Sequence, residues 1–228
     1  MALVKYNNRS ILNVTALGSV PAGGLNLITT NTISSGVSSS SFTSNIDSTY
    51  DTYLFKFINL HPASDGVGVS FNIDSTYDTY LFKFINIHGA SATDFQINFS
   101  VDGGSNYNVT KTTTAISAYH GENDSTPDVY YITSHDLAQS TSAKKIMGTI
   151  YNDDDNSGSG YLYLFNPSST TFVKHFISST QRTDNATSNN FYTAGYGNTT
   201  SAINAVQFTM ASGNIDSGVI KMYGLSKS

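Results

Sequence analysis

From residue 25 onward, apolar residues recur in short runs separated by Gly, Asn, Asp and Ser. Within the runs they alternate with polar residues or with a second apolar set. This is the period of a β-strand, whose successive side chains point to opposite sheet faces. The pattern predicts strands at Leu25–Ile33, 53–60, 67–73, 80–87, 95–101, 129–133, 145–151, 161–165, 171–178, Ala205–Met210 and 219–223. Between them, 34–44 is a serine-rich stretch that reads as an edge strand or a loop. The polar segments 152–160 and 101–105 read as hairpin turns, and 179–190 as a loose polar loop. Many short strands punctuated by turn residues indicate an antiparallel β-sandwich or jelly roll.

One pattern occurs twice. Residues 45–61 read NIDSTYDTYLFKFINLH and residues 72–88 read NIDSTYDTYLFKFINIH, so that Leu60 against Ile87 is the one difference. The copies define a 27-residue tandem duplication, 45–71 and 72–98. Two copies are too few for a solenoid, which needs at least three units to bury a shared core. Each copy contains a strand and a return strand, so the insertion restores the chain's direction. An added hairpin would put the two copies in neighbouring, similarly oriented places of one sheet. In 53–60, Tyr53, Phe55, Phe57 and Asn59 fall on one face, and Leu54, Lys56, Ile58 and Leu60 on the other. Both faces are largely apolar. Lys56 and its copy Lys83 are expected to pack their stems and extend their ammonium groups to water.

The first residues differ from the rest. Ile11, Val14 and Leu17 recur at the spacing of a helical turn, and Pro21-Ala22-Gly23-Gly24 ends any such run. The expected organisation is an N-terminal docking arm over 1–24, extended and contacting a neighbour through Ile11, Val14 and Leu17. A single β-sandwich domain over 25–228 follows.

Composition narrows the function. Of the 228 residues only 12% are charged, about half the usual share. Thirteen Phe and fifteen Tyr supply the apolar area that a disordered chain lacks. Glu122 is the sole glutamate, and Arg9 and Arg182 are the sole arginines. The net charge of -5 and the absence of a basic stripe argue against nucleic-acid binding. There is no cysteine, so disulfides are excluded. No secretory leader and no apolar run of the ~20 residues that a membrane helix needs are evident, so no membrane insertion is expected.

The candidate chemistry is thin. Asp153, Asp154, Asp155 and Asn156 look like a calcium loop, but Leu164 stands where the bidentate glutamate belongs. A polar turn explains them better. His61 and His88 are one observation made twice by the duplication; a shared metal site and a plain turn histidine are both open. Ser134-His135-Asp136 contains the residue types of a triad, yet neighbours on a strand would point apart. No metal or cofactor is expected, and no enzymatic activity. Exposed tyrosines with asparagines suit adaptable contact surfaces. Tyr192 and Tyr196, in the glycine-containing segment 191–200, are the best binding candidates; the alternative is that they pack a loop onto the sandwich.

The opening MALVKYNNRSILNVTA, the segment IDSTYDTYLFKFINIH and the ending SGNIDSGVIKMYGLSKS together resemble structural proteins of tailed bacteriophages, particularly phages of marine bacteria. The resemblance spans most of the chain, and the pattern G-x-I-x-x-G-x-I-K-x-Y-G, from Gly213 to Gly224, is its most specific part. The resemblance implies a virion component of tail-fibre or capsid-decoration type, assembled in the bacterial cytoplasm. It would pack on other virion proteins as a homo-oligomer, often a trimer, with a host surface glycan as the expected ligand. The alternative reading is a carbohydrate-binding receptor-recognition module.

Overall fold

The computed structural model describes residues 24–34, 37, 40–42, 45–46, 50–61, 68–73, 78–125, 127–153, 155–183, 186–211 and 217–226. Its strands are β1 (Leu25–Ile33), β2 (Ser41–Phe42), β3 (Tyr50–His61), β4 (Gly68–Asn72), β5 (Thr79–Ile87), β6 (Thr93–Ser100), β7 (Lys111–Gly121) and β8 (Asp128–Tyr131). They continue as β9 (Leu137–Ser140), β10 (Lys144–Ile150), β11 (Gly158–Phe165), β12 (Lys174–Thr183), β13 (Thr187–Gly197), β14 (Ala205–Met210) and β15 (Ser217–Ser226). No helix occurs among the described residues. The docking arm and its Ile11, Val14 and Leu17 lie outside the described residues.

Two sheets pack face to face as a β-sandwich. The large sheet runs β1-β15-β3-β5-β11-β12-β13-β7-β8, with β9 also paired to β7. The small sheet runs β10-β6-β14-β4-β2. The core between them is aromatic. Phe55, Phe57, Phe82 and Phe84 descend from the large sheet and meet Phe71, Phe95 and Phe208 of the small one. Phe208 lies at the centre, 4.8 to 6.0 Å from the ring centroids of Phe57, Phe71, Phe82, Phe84 and Phe95. Most of these contacts are edge-on or tilted, the geometry that ring quadrupoles favour.

The duplicated segments form the centre of the large sheet. β3 and β5 are neighbours, parallel, with Tyr53 beside Tyr80, Phe55 beside Phe82 and Phe57 beside Phe84. Each residue therefore stands next to its own copy, and the Tyr53–Tyr80 and Phe55–Phe82 rings stack as in a side-chain ladder. The Phe55 and Phe82 planes are 16° apart at 5.3 Å, and the His61 and His88 planes 11° apart at 4.7 Å. The Ser-Phe dipeptides that precede the two copies are neighbours as well. β2 pairs with β4 in parallel, Ser41 beside Ser70 and Phe42 beside Phe71. Among the described residues these are the two parallel pairings; every other is antiparallel.

The neighbouring, similarly oriented placement of the copies is thus met, but the hairpin is not. The return strands β4 and β6 belong to the small sheet and are separated there by β14. Each copy crosses the core instead of folding back in one sheet. The turns read at 101–105 and 152–160 are likewise crossings, from β6 to β7 and from β10 to β11. A sequence signature for a turn does not say which sheet follows it.

Alternation in the repeat also breaks near its end. Asn59 and Asn86 both have φ of 51°, a left-handed conformation that asparagine tolerates better than most residues. The register shifts here against both β15 and β11, a β-bulge. Leu60 and Ile87 consequently turn into the core with no exposed surface, whereas strict alternation placed Leu60 on the outer face.

The expected loop over 179–190 is corrected as well: β12 runs to Thr183 and β13 begins at Thr187. Together with β7, which no apolar period announced, these strands have a polar inner face. Thr180 donates to the Ile146 carbonyl at 2.7 Å, and Ser117 to Asn189 Oδ1 at 2.8 Å.

The terminal glycine pattern has a packing explanation. β15 lies between β1 and β3, with Ile220 and Met222 in the core and Val219, Lys221 and Tyr223 facing outward. Gly218 has φ of 141°, a backbone conformation that other residues rarely adopt. A Cβ on Gly224 would come within 2.1 Å of the Tyr50 ring.

Candidate functional site

The outer face of the large sheet is the broadest feature open to a partner. Register defines it in rows that run across the strands. One row reads Leu27, Tyr223, Leu54, Leu81, Tyr163, Ile177, Ala194 and Thr114 from β1 to β7. The next, from β15 to β8, reads Lys221, Lys56, Lys83, Tyr161, Ser179, Tyr192, Ile116 and Tyr131. Aliphatic, aromatic and lysine side chains thus tile a face that most antiparallel sandwiches leave to polar residues. Tyr161, Ile177 and Tyr192 are 42%, 51% and 50% exposed.

Both tyrosines singled out by sequence lie on this face, on strand β13 and not on a loop. Tyr192 projects between Ser179 and Ile116. Tyr196 stands beside His175 and Thr112, its ring 6.2 Å from the imidazole. Between Tyr196, His175, Ile177 and Thr114 lies an open depression of about 420 Å³, floored by Ala194 and Gly195. Its lining is mostly apolar. Tyr192 and Tyr196 therefore share a face, two rows apart, rather than forming one pincer. A second open hollow of about 570 Å³, lined by His120, Asp128, Val129, Gln181 and Asn190, lies toward β8.

The duplicated histidines line a smaller cleft of about 410 Å³ with Asn59, Asn86, Asp155, Asn156 and Ser217. Asn86 Nδ2 donates to Asn59 Oδ1 at 3.3 Å, continuing the ladder of identical residues. His88 Nε2 lies 3.2 Å from the Asp153 carbonyl, and its Nδ1 is buried without a hydrogen-bond partner. The acidic segment turns inward on itself: Asn156 is buried and donates to Asp153 Oδ2 at 3.1 Å. Among the described residues no three His, Asp or Glu side chains converge as a metal site.

Ser134, His135 and Asp136 follow β8 in a turn, not on a strand. His135 stacks on Phe191, and Asp136 accepts from the Tyr131 hydroxyl at 2.7 Å. That bond raises the Tyr131 pKa, and burial lowers that of His135. These side chains serve packing and turn closure, so the triad residue types do not form a relay.

Sequence reasoning missed the lysine row and the depression at Ala194. Lys56 and Lys83 were visible as a duplicated pair. Lys221 joins them only through the pairing of β15 with β3.

No protein-family model matches the chain, and no curated protein matches it. Among solved structures, a structural-genomics protein of unknown function from Bacteroides ovatus overlaps 46% of this chain and 46% of its own length. The identity is 8% and the TM-score 0.25, so this likeness carries no argument about fold or function.

Proposed function

We propose that the chain is a structural, non-enzymatic component of a tailed-bacteriophage particle, a surface-exposed β-rich appendage of tail-fibre or capsid-decoration type. The observation that carries the reading is the outer face of the large sheet. It joins lysines, leucines and tyrosines into one contact platform across eight strands. The resemblance of the chain's two ends and its repeat to phage structural proteins supports the same reading. In it the arm over 1–24 attaches the domain to neighbouring virion proteins, and copies of the chain associate as an oligomer. Imaging intact particles of the parent phage tests this. The chain should occupy a symmetric position at fixed copy number; particles that lack it altogether would overturn the reading.

A second reading is a carbohydrate-binding module that recognises the host surface. It is favoured by Tyr192, half exposed on the same face as the depression beside Tyr196. Tyrosine offers a rigid apolar ring with a polar tip, suited to stacking on sugars. A glycan array probed with purified protein checks it, and no binding to any host polysaccharide would sink it.

A further inference from the structure

We infer that Lys221, Lys56 and Lys83 form a single-file binding site for a carboxylate-bearing linear polysaccharide, laid across the strands of the large sheet. The three lysines stand directly beside one another on β15, β3 and β5. Adjacent strands are about 4.8 Å apart, so their Cα positions form a line spanning about 10 Å. Like charges placed opposite one another on a sheet face cost stability. Among the described residues no ion pair offsets that cost. The ion pairs among the described residues, Lys145–Asp94 and His120–Asp124, involve none of the three. Their neighbours along the strands are Leu54, Ile58, Leu81 and Ile85, apolar side chains against which the stems can lie. Lys56 Nζ also lies 6.0 Å from the Tyr223 ring centroid. The result is a cationic line with apolar banks.

The charge of the line and the exposed tyrosines that continue it select the ligand. Nucleic acid demands a broad positive field, and this chain has a net charge of -5. A polyuronate carries one carboxylate and an apolar ring face per sugar, so one chain can meet both the lysines and the tyrosines of this row. Beyond Lys83 the same row continues into Tyr161, Ser179 and Tyr192, whose exposed rings can stack on further sugars. The duplication lengthened this line. Lys83 is the copy of Lys56, and a single repeat would leave two lysines instead of three.

This inference rests on the carbohydrate-recognition reading, and the test separates the two. Binding of oligogalacturonate and of its neutral methyl ester is measured by calorimetry on the full chain. The variants are Lys56→Gln/Lys83→Gln/Lys221→Gln and Tyr192→Ala, each first confirmed to unfold cooperatively. The expected result is binding of the acid form only, weakened at least tenfold in the triple variant and by rising salt. Equal binding of both forms, with loss in Tyr192→Ala alone, would overturn the lysine site and keep the carbohydrate reading. No binding of the acid form, or equally strong binding to anionic phosphatidylglycerol vesicles or to polyglutamate, would overturn the inference.

Discussion

Lys111 is the first residue of β7 and has no exposed surface. Its ammonium donates to Asn98 Oδ1 at 2.6 Å and to the Val109 carbonyl at 2.7 Å, and among the described residues it has no carboxylate partner. Desolvation disfavours the charged form and lowers its pKa from 10.5 to about 8. Lys144, first in β10 and bonded to the His135 carbonyl, is shifted to about 8 for the same leading reason. In the unfolded chain both titrate near 10.5. Between pH 8 and 10.5 the unfolded state therefore holds protons that the folded state has released, so stability rises with pH across that window. Below pH 8 both states are protonated and the full cost of burying the charge is felt. Denaturant unfolding of the wild type and of Lys111→Met at pH 7.5 and pH 10 checks this. The wild type should gain on the variant as pH rises, by up to about 3 kcal/mol for this one lysine. Sequence shows these lysines only as polar breaks before strands; their burial follows from loops that fold over the strand ends.

At the scale of the element, the inner faces of β3, β5, β6 and β14 act as one unit because their rings interlock. Phe208 on β14 touches rings from both copies of the repeat. Phe208→Ala should cost about 3–5 kcal/mol through lost burial and the cavity left behind. Phe172→Ala, at a ring 68% exposed, should change stability by no more than about 0.5 kcal/mol. Urea titration of both variants compares the two. Element bounds were most legible where one face is apolar: Leu25–Ile33 and Ala205–Met210 are read from sequence as they stand in the structure. β7 and the facing parts of β12 and β13 were not legible. Thr113, Ser117, Thr180 and Asn189 on their inner faces make hydrogen bonds and leave no hydrophobic period.

At the scale of the whole molecule, the duplication accounts for the departure from an antiparallel plan. Without β3 and β4, β5 would stand between β15 and β11 and β2 would take the place beside β14. Every neighbouring pair in both sheets would then be antiparallel. One repeat adds one strand to each sheet and leaves the flanking directions unchanged, which is why the fold accommodates it. Deleting residues 45–71 rejoins Ser44 to a second copy of the same NIDSTY segment. The shortened chain should remain soluble, β-rich by circular dichroism and cooperatively folded, with a lower midpoint because it buries fewer rings. A chain that collapses into aggregates would show that the parallel pair is required.

The amino-acid sequence by itself determined the all-β class, the places of most strands and the existence of the repeat. These depend on local alternation and turn residues, or on a direct match of text. It also marked Tyr192 as a candidate contact residue, and the structure puts that ring on an open face. Only the tertiary structure decided which sheet each strand joins, because sheet membership depends on hydrogen bonds between segments remote in sequence. It also decided that the repeat's copies lie parallel and in register, and that Asn59 and Asn86 turn Leu60 and Ile87 inward. The alignment of Lys221 with Lys56 and Lys83 belongs to the same class: a one-residue slip of β15 would send Lys221 into the core. Register is set by packing across the whole sandwich, and no stretch of sequence contains it.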